Sequence, residues 1–149
     1  MMIGIYPTHS TQKVLIKIHN LKNVPKRATR RALYEYGSIL RKKLKNAIKK
    51  KGRTGRTYNI YRRGRKTKHI ASAPFETPAN ITGKLKKSVD FKVEGDYKMK
   101  FGYDDSVDYG KHLEKGTKKM KPRTGLKNII DKTQKQGRDK IREEINKRL

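Results

Sequence analysis

The chain has 149 residues, with 41 Lys+Arg against 13 Asp+Glu, a formal net charge of +28 and no cysteine. That length suits one domain, and the missing cysteines exclude disulfides, thiolate metal sites and cysteine nucleophiles. No stretch approaches the roughly 18 apolar residues of a membrane span, and the first residues lack the charged segment and apolar run of a signal peptide, so a cytoplasmic product is expected.

Leu, Ile, Val and Phe together number 30, close to the level of about 20% at which high charge begins to mean disorder. The expectation is a single domain over 1–149 with a small core, long solvated excursions and stability added by subunit contacts. The cationic surplus calls for an anionic partner: nucleic acid, an acidic protein surface or anionic lipid.

Ile3 to Tyr6 either extend a sheet or belong to a loose N-terminal arm over 1–12. Val14, Ile16 and Ile18 alternate with polar neighbours and predict a strand. Pro25 suits the first turn of a helix. From there Leu33, Tyr36, Leu40, Leu44 and Ala47 or Ile48 recur at spacings of three and four, while Arg30, Arg31, Arg41, Lys42, Lys45 and Lys49 take the other faces. Gly37 costs this helix about 1 kcal/mol relative to Ala, and Lys51-Gly52 ends it.

Residues 51–81 have a poor core-forming pattern, and loops beyond about 12–15 residues are usually functional or disordered. This one carries Arg53, Arg56, Arg62, Arg63, Arg65, Lys66 and Lys68, interrupted by Tyr58, Ile60 and Tyr61. A β-hairpin arm with Arg63-Gly64-Arg65 near its turn fits the pattern. Three readings stand side by side: phosphate contact with tyrosines stacking on bases, an arm that folds onto a neighbouring subunit, or a plain solvated loop.

Thr82 can cap a short helix through Ser88. Val89, Phe91 and Val93 alternate, as do Met99, Phe101 and Tyr103, with Glu94-Gly95-Asp96 as the hairpin turn between them. A second short helix is expected over about 107–115, with aspartates near its N-terminus. The last helix begins near Thr124, with Leu126, Ile130, Thr133, Gly137, Ile141, Ile145 and Leu149 on one face. Charge is uneven: Lys22 to Lys68 hold 19 basic residues and one acid, whereas Asp90 to Glu114 hold seven acids and four basic residues. Such separation suits a head-to-tail ring, which needs two different complementary surfaces.

Catalytic signals are weak. His9, His19, His69 and His112 have no metal-ligand spacing, and HExxH, phosphate-loop and GxSxG patterns are missing. No active site, metal or cofactor is expected, although His112 with Glu114 would be the pair to test in a small nuclease. A free nucleic-acid-binding protein, motivated by charge alone, is the rival to a structural role.

Two blocks carry more information. The first runs Ala73-Pro74-Phe75-Glu76-Thr77-Pro78-Ala79-Asn80-Ile81-Thr82-Gly83-Lys84-Leu85 and continues to Ser88-Val89. The second runs Tyr109-Gly110-Lys111-His112-Leu113-Glu114-Lys115-Gly116-Thr117-Lys118-Lys119-Met120. Prolines and glycines here can simply shape loops, but their order, with a hairpin between, resembles the head–tail joining or tail-completion (neck, minor tail) proteins of long-tailed double-stranded DNA bacteriophages. The resemblance covers about residues 25–149 and includes the Arg-Thr-Gly-Arg stretch at 53–56. Its motif positions are Pro74, Pro78, Thr82, Gly83, Leu85, Tyr109, Leu113, Glu114, Gly116, Thr117 and Met120. Phe75 stands where that family usually carries glycine, and Lys121-Pro122-Arg123-Thr124 replaces its usual segment before the last helix.

The resemblance implies an α+β fold, with long helices packed on a small, mostly antiparallel sheet, and no enzymatic activity. It also implies a homo-oligomeric ring at the head–tail junction of the virion, assembled in the host bacterial cytoplasm. Expected partners are the head connector or adaptor and the tail terminator or tail tube proteins, with non-specific contact to packaged DNA.

Overall fold

The computed structural model describes residues 2–7, 13–19, 25–50 and 52–147. Its elements are β1 (Met2–Pro7), β2 (Lys13–His19), α1 (Lys26–Lys49), β3 (Thr57–Arg62), β4 (Arg65–Ile70), α2 (Lys84–Lys87), β5 (Val89–Glu94), β6 (Lys98–Tyr103), α3 (Gly110–Lys115) and α4 (Gly125–Asn146). The fold is α+β. One antiparallel sheet has the order β1-β2-β6-β5, and β3 with β4 form a separate two-stranded sheet. Helix α1 packs on β5 and β6, and α4 packs along α1.

Helix α1 forms because its apolar residues repeat at helical spacing. Leu33, Tyr36, Leu40, Leu44 and Ile48 are all buried, with Ala28 and Ala32 extending the stripe. Burying each large aliphatic side chain contributes about 1.5–3 kcal/mol relative to leaving it in water. Pro25 stands at the N-cap, one place before the first turn, and its carbonyl accepts the N–H groups of Ala28 and Thr29 at 3.0 and 3.2 Å. Lys50 is the C-cap; Lys51, and Leu149 of the α4 stripe, lie outside the described residues, as do the side chains of Val14 and Ile18.

Gly37 has a packing role beyond its low helix propensity. A Cβ there would stand 2.4 Å from Cδ2 of Phe91. The Phe91 ring also meets Tyr34 edge-on at 6.0 Å and lies under the Arg41 guanidinium at 5.4 Å. Gly137 plays the matching part on α4, where a Cβ would meet Cε2 of Tyr36 at 2.3 Å. Two glycines therefore let aromatic rings sit against helix backbone. The buried face of α4 follows the expected stripe and adds Ile129 and Glu144. Glu144 is 8% exposed and stands 3.3 Å from Lys147 and 3.9 Å from both Arg31 and Lys140.

Two local expectations are corrected. Helix α2 has only four residues, and its N-cap is Gly83 in the left-handed region (φ 88), where an L side chain is strained. Thr82 stands one place earlier, with its hydroxyl accepting a long 3.4 Å bond from Lys84 N–H. Helix α3 begins at Gly110, so 107–109 form a turn and no acid lies in the first helical turn. Asp104 instead holds the preceding turn, 104–107, accepting from Ser106 N–H at 2.9 Å and from the Ser106 hydroxyl. The acidic stretch is largely engaged within the subunit: Asp90 pairs with Arg41, Glu94 with Lys100 and Asp105 with Lys13.

Candidate assembly groove at the base of the hairpin

The β3–β4 hairpin is the arm expected within 51–81. Its register pairs Arg62 with Arg65, leaving Arg63 and Gly64 as a two-residue turn with φ values of 47 and 75. Positive φ at both positions is the turn geometry whose twist matches a right-handed hairpin. Only Ile60 and His69 are partly covered, and the register places them on the same face with Tyr58 and Arg62. Tyr61, Lys66, Lys68 and Ile70 belong to the opposite face; Tyr61 is 74% exposed.

Glu76 sets the base of the arm. Its carboxylate accepts the Thr54 hydroxyl at 2.6 Å and the Ala73 N–H at 2.8 Å, and these bonds hold its pKa below the usual carboxylate range. Gly55 and Ala71 close the ladder below the strands, with Gly55 N–H donating to Ala71 carbonyl and Ala71 N–H to Arg56 carbonyl, both at 3.0 Å. Arg53 is committed to the body. Its Nη2 donates to the Ala47 carbonyl at 2.6 Å and, more weakly, to Pro78 at 3.5 Å. It therefore ties the end of α1 to the loop, whereas Arg56, Arg62, Arg63, Arg65, Lys66 and Lys68 are exposed.

The first motif block turns back at Phe75, whose φ of 64 is left-handed. Its N–H donates to the Pro122 carbonyl at 2.8 Å, and its carbonyl accepts from Thr124 Oγ1 at 3.0 Å and Asn128 Nδ2 at 2.9 Å. The strained turn is thus pinned to the start of α4, and the ring is left 61% exposed. Pro74 is exposed beside it.

The second block is held by Glu114 and Gly116. Glu114 Oε1 accepts Leu126 N–H and the Tyr103 hydroxyl, each at 3.0 Å. Thr124, the N-cap of α4, makes no capping bond, so the carboxylate of α3 supplies it. Burial pushes Glu114 up to about 7, against the lowering effect of these bonds. Burial and the neighbouring Glu114 push the Tyr103 hydroxyl well above its ordinary value. At Gly116 a Cβ would strike the Met120 carbonyl oxygen at 2.6 Å, in the turn closed by the Thr117–Met120 bridge. Arg123 N–H reaches back to the Leu113 carbonyl at 2.6 Å.

The two blocks, about thirty residues apart in sequence, meet in space. Pro78, Thr82, Gly83 and Leu85 from the first, and Tyr109, Leu113 and Met120 from the second, line one mainly apolar groove of about 490 Å³. Tyr58 and His69 form its hairpin wall, with ring centroids 5.3 Å apart and edge-on. Glu114, Gly116 and Thr117 do not line the groove; they hold the start of α4 and the turn that carries Met120. His112 is exposed, while Glu114 is spent on capping, and residues two apart on a helix do not face each other. No cluster of three or more potential metal-binding side chains occurs among the described residues, and no helix is long and apolar enough to cross a membrane.

Sequence reasoning missed the capping role of Glu114 and the part of Glu76 in closing the arm. It also missed a second cleft, of about 500 Å³, between the last turn of α1 and the hairpin. Lys49 and Lys50 were the available signal for that cleft, but nothing local says that a hairpin returns beside them. No protein-family model matches this chain, and no curated protein or solved structure matches it.

Proposed function

We propose that this chain is a non-enzymatic building block of the neck of a long-tailed double-stranded DNA bacteriophage. It joins the tail to the DNA-filled head as a homo-oligomeric ring. The observation that carries this reading is the convergence of the two motif blocks on one apolar groove beside an exposed, unsupported hairpin. An isolated two-stranded hairpin is marginal in water, so an arm this exposed gains its stability from what it rests on.

The groove of one subunit receives the hairpin of the next. Tyr61 and Ile70, exposed on the arm's outer face, supply the apolar side chains, and the groove supplies Leu85, Leu113 and Ile81. Arm and groove are different surfaces, so the contact is head-to-tail, the kind that forms a ring when the rotation between subunits closes. The layers above and below are the head connector or adaptor and the tail terminator or tail tube. Most of the 90–114 acids are engaged within the subunit, so this reading rests on the apolar groove rather than on the acidic patch.

Native mass spectrometry of the purified chain, with electron microscopy of mixtures with tail tubes and filled heads, tests the reading. Rings that seat on tail or head ends are the expected result. A stable monomer that never associates with either would overturn it.

A further inference from the structure

We propose that the cleft between the end of α1 and the β3–β4 hairpin binds the phosphate backbone of a nucleic acid without reading its bases. This cleft shares His69, Ala79 and Asn80 with the apolar groove and reaches Lys68 and Ile70 on the arm's outer face, so the test below reads nucleic-acid binding and ring formation separately.

The cleft has about 500 Å³, and its lining includes Lys49, Lys50, Arg53, Arg62 and Lys68 but no acid. The carbonyl end of a helix carries about half a negative charge and would repel an anion. Here Arg53 covers that end through its bond to the Ala47 carbonyl. Lys49, Lys50, Arg62 and Lys68 take part in no ion pair among the described residues; the described ion pairs lie elsewhere. Four cations gathered without a counter-charge repel one another, and an anion removes that repulsion.

A second observation falls on the same cleft. Among the described residues, three buried side-chain atoms have no hydrogen-bond partner: Arg53 Nε, His69 Nε2 and Asn80 Oδ1. All three residues line this cleft. A buried polar atom left unpaired costs about 1–3 kcal/mol, so the seam between hairpin and body is polar and incompletely satisfied. Burial and the Arg62 cation lower the His69 pKa, which keeps the ring neutral near pH 7, with one nitrogen donating and the other accepting.

The lining's cations, from Lys49 and Lys50 to Arg62 and Lys68 with no acid among them, favour a ligand with a regular row of anionic charges, and a nucleic acid carries one on every phosphate.

The test uses the full chain, a short fluorescein-labelled DNA duplex and anisotropy at a series of salt concentrations. One variant combines Lys49→Gln, Lys50→Gln and Lys68→Gln. A control removes the same charge from the exposed side of α4 with Lys127→Gln, Lys132→Gln and Lys135→Gln. Each lost phosphate contact lowers the slope of log K against log salt by about 0.9, so the cleft variant should lose about 2.7 units, equivalent to about 40-fold less salt-driven loss across a fourfold salt increase. The control should lose less than one unit, and Lys→Arg at the three cleft positions should restore the slope. The His69 ring resonance should also shift on adding the duplex. Equal losses in cleft variant and control would overturn the proposal, as would competition by poly-L-glutamate equal to that of DNA at matched charge. Ring formation is read separately, so a failed cleft leaves the neck reading standing.

Discussion

Glu114 of α3 caps helix α4 by accepting the N–H of Leu126 at 3.0 Å. A carboxylate here meets the positive end of the helix and also the Tyr103 hydroxyl, yet its burial favours the neutral acid. The folded chain holds the proton up to about 7, whereas the ordinary value is 4.5. Between those pH values the folded state binds more protons than the unfolded one, so stability falls as pH rises through the window, by about 3 kcal/mol at most. Glu114→Gln should flatten this dependence and match or exceed the parent above pH 7. Glu114→Ala should lose about 1–3 kcal/mol at low pH, because the Leu126 N–H and Tyr103 hydroxyl are left unpaired. Urea unfolding across the pH range checks both.

Gly137→Ala sets helix propensity against space. Alanine favours a helix by about 1 kcal/mol over glycine, but its Cβ would lie 2.3 Å from the Tyr36 ring. Overpacking of this kind typically costs about 1–3 kcal/mol, so the variant should be destabilised. Trimming the ring in Tyr36→Leu/Gly137→Ala should recover part of the loss, with a coupling energy of about 0.5–3 kcal/mol in a double-mutant cycle. Thermal unfolding monitored by circular dichroism reads both effects.

Phe75→Asn should stabilise the fold by about 1 kcal/mol. Phe75 sits at φ 64 with its ring 61% exposed, so little burial is lost, and asparagine tolerates the left-handed region better than a bulky residue. The backbone bonds to Pro122, Thr124 and Asn128 are kept. Chemical denaturation with an unchanged m-value is the expected result.

On the proposed arm-in-groove contact, Ile81→Asp should block self-association while leaving monomer stability within about 0.5 kcal/mol, as for most surface substitutions. Ile81 is 37% exposed on the groove wall, and a carboxylate there opposes an apolar arm. Tyr61→Ala should give the same loss from the other side of the contact. Sedimentation velocity separates monomer from ring.

Much of the fold was legible because it is written in local periodicity. The stripe Leu33, Tyr36, Leu40, Leu44 and Ile48 and the alternation around Glu94-Gly95-Asp96 need no distant partner to be read. The hairpin tip at Arg63-Gly64 was legible for the same reason. What failed were features in which local signals compete, or whose partner lies outside helix and strand periodicity. Thr82 is a good cap in isolation, but the chain enters α2 through a left-handed glycine. The aspartates before α3 are drawn into a turn by Ser106. Arg53 resembles its exposed neighbours in sequence, and only the fold brings Ala47 within 2.6 Å. Likewise, Glu114 looks like a surface acid until Leu126 arrives behind it. For the groove, the sequence singled out Pro78, Thr82, Gly83, Leu85, Tyr109, Leu113 and Met120 in two motifs and Tyr58 as a contact candidate, but nothing local says that they meet beside His69.

The arm from 57 to 70 touches its own subunit through little more than Ile60 and His69. Extra residues inserted at its Arg63-Gly64 tip would extend its reach without disturbing a single interior side chain. Descendants of this chain are therefore free to alter what they hold on to, generation by generation, while inheriting an unchanged interior.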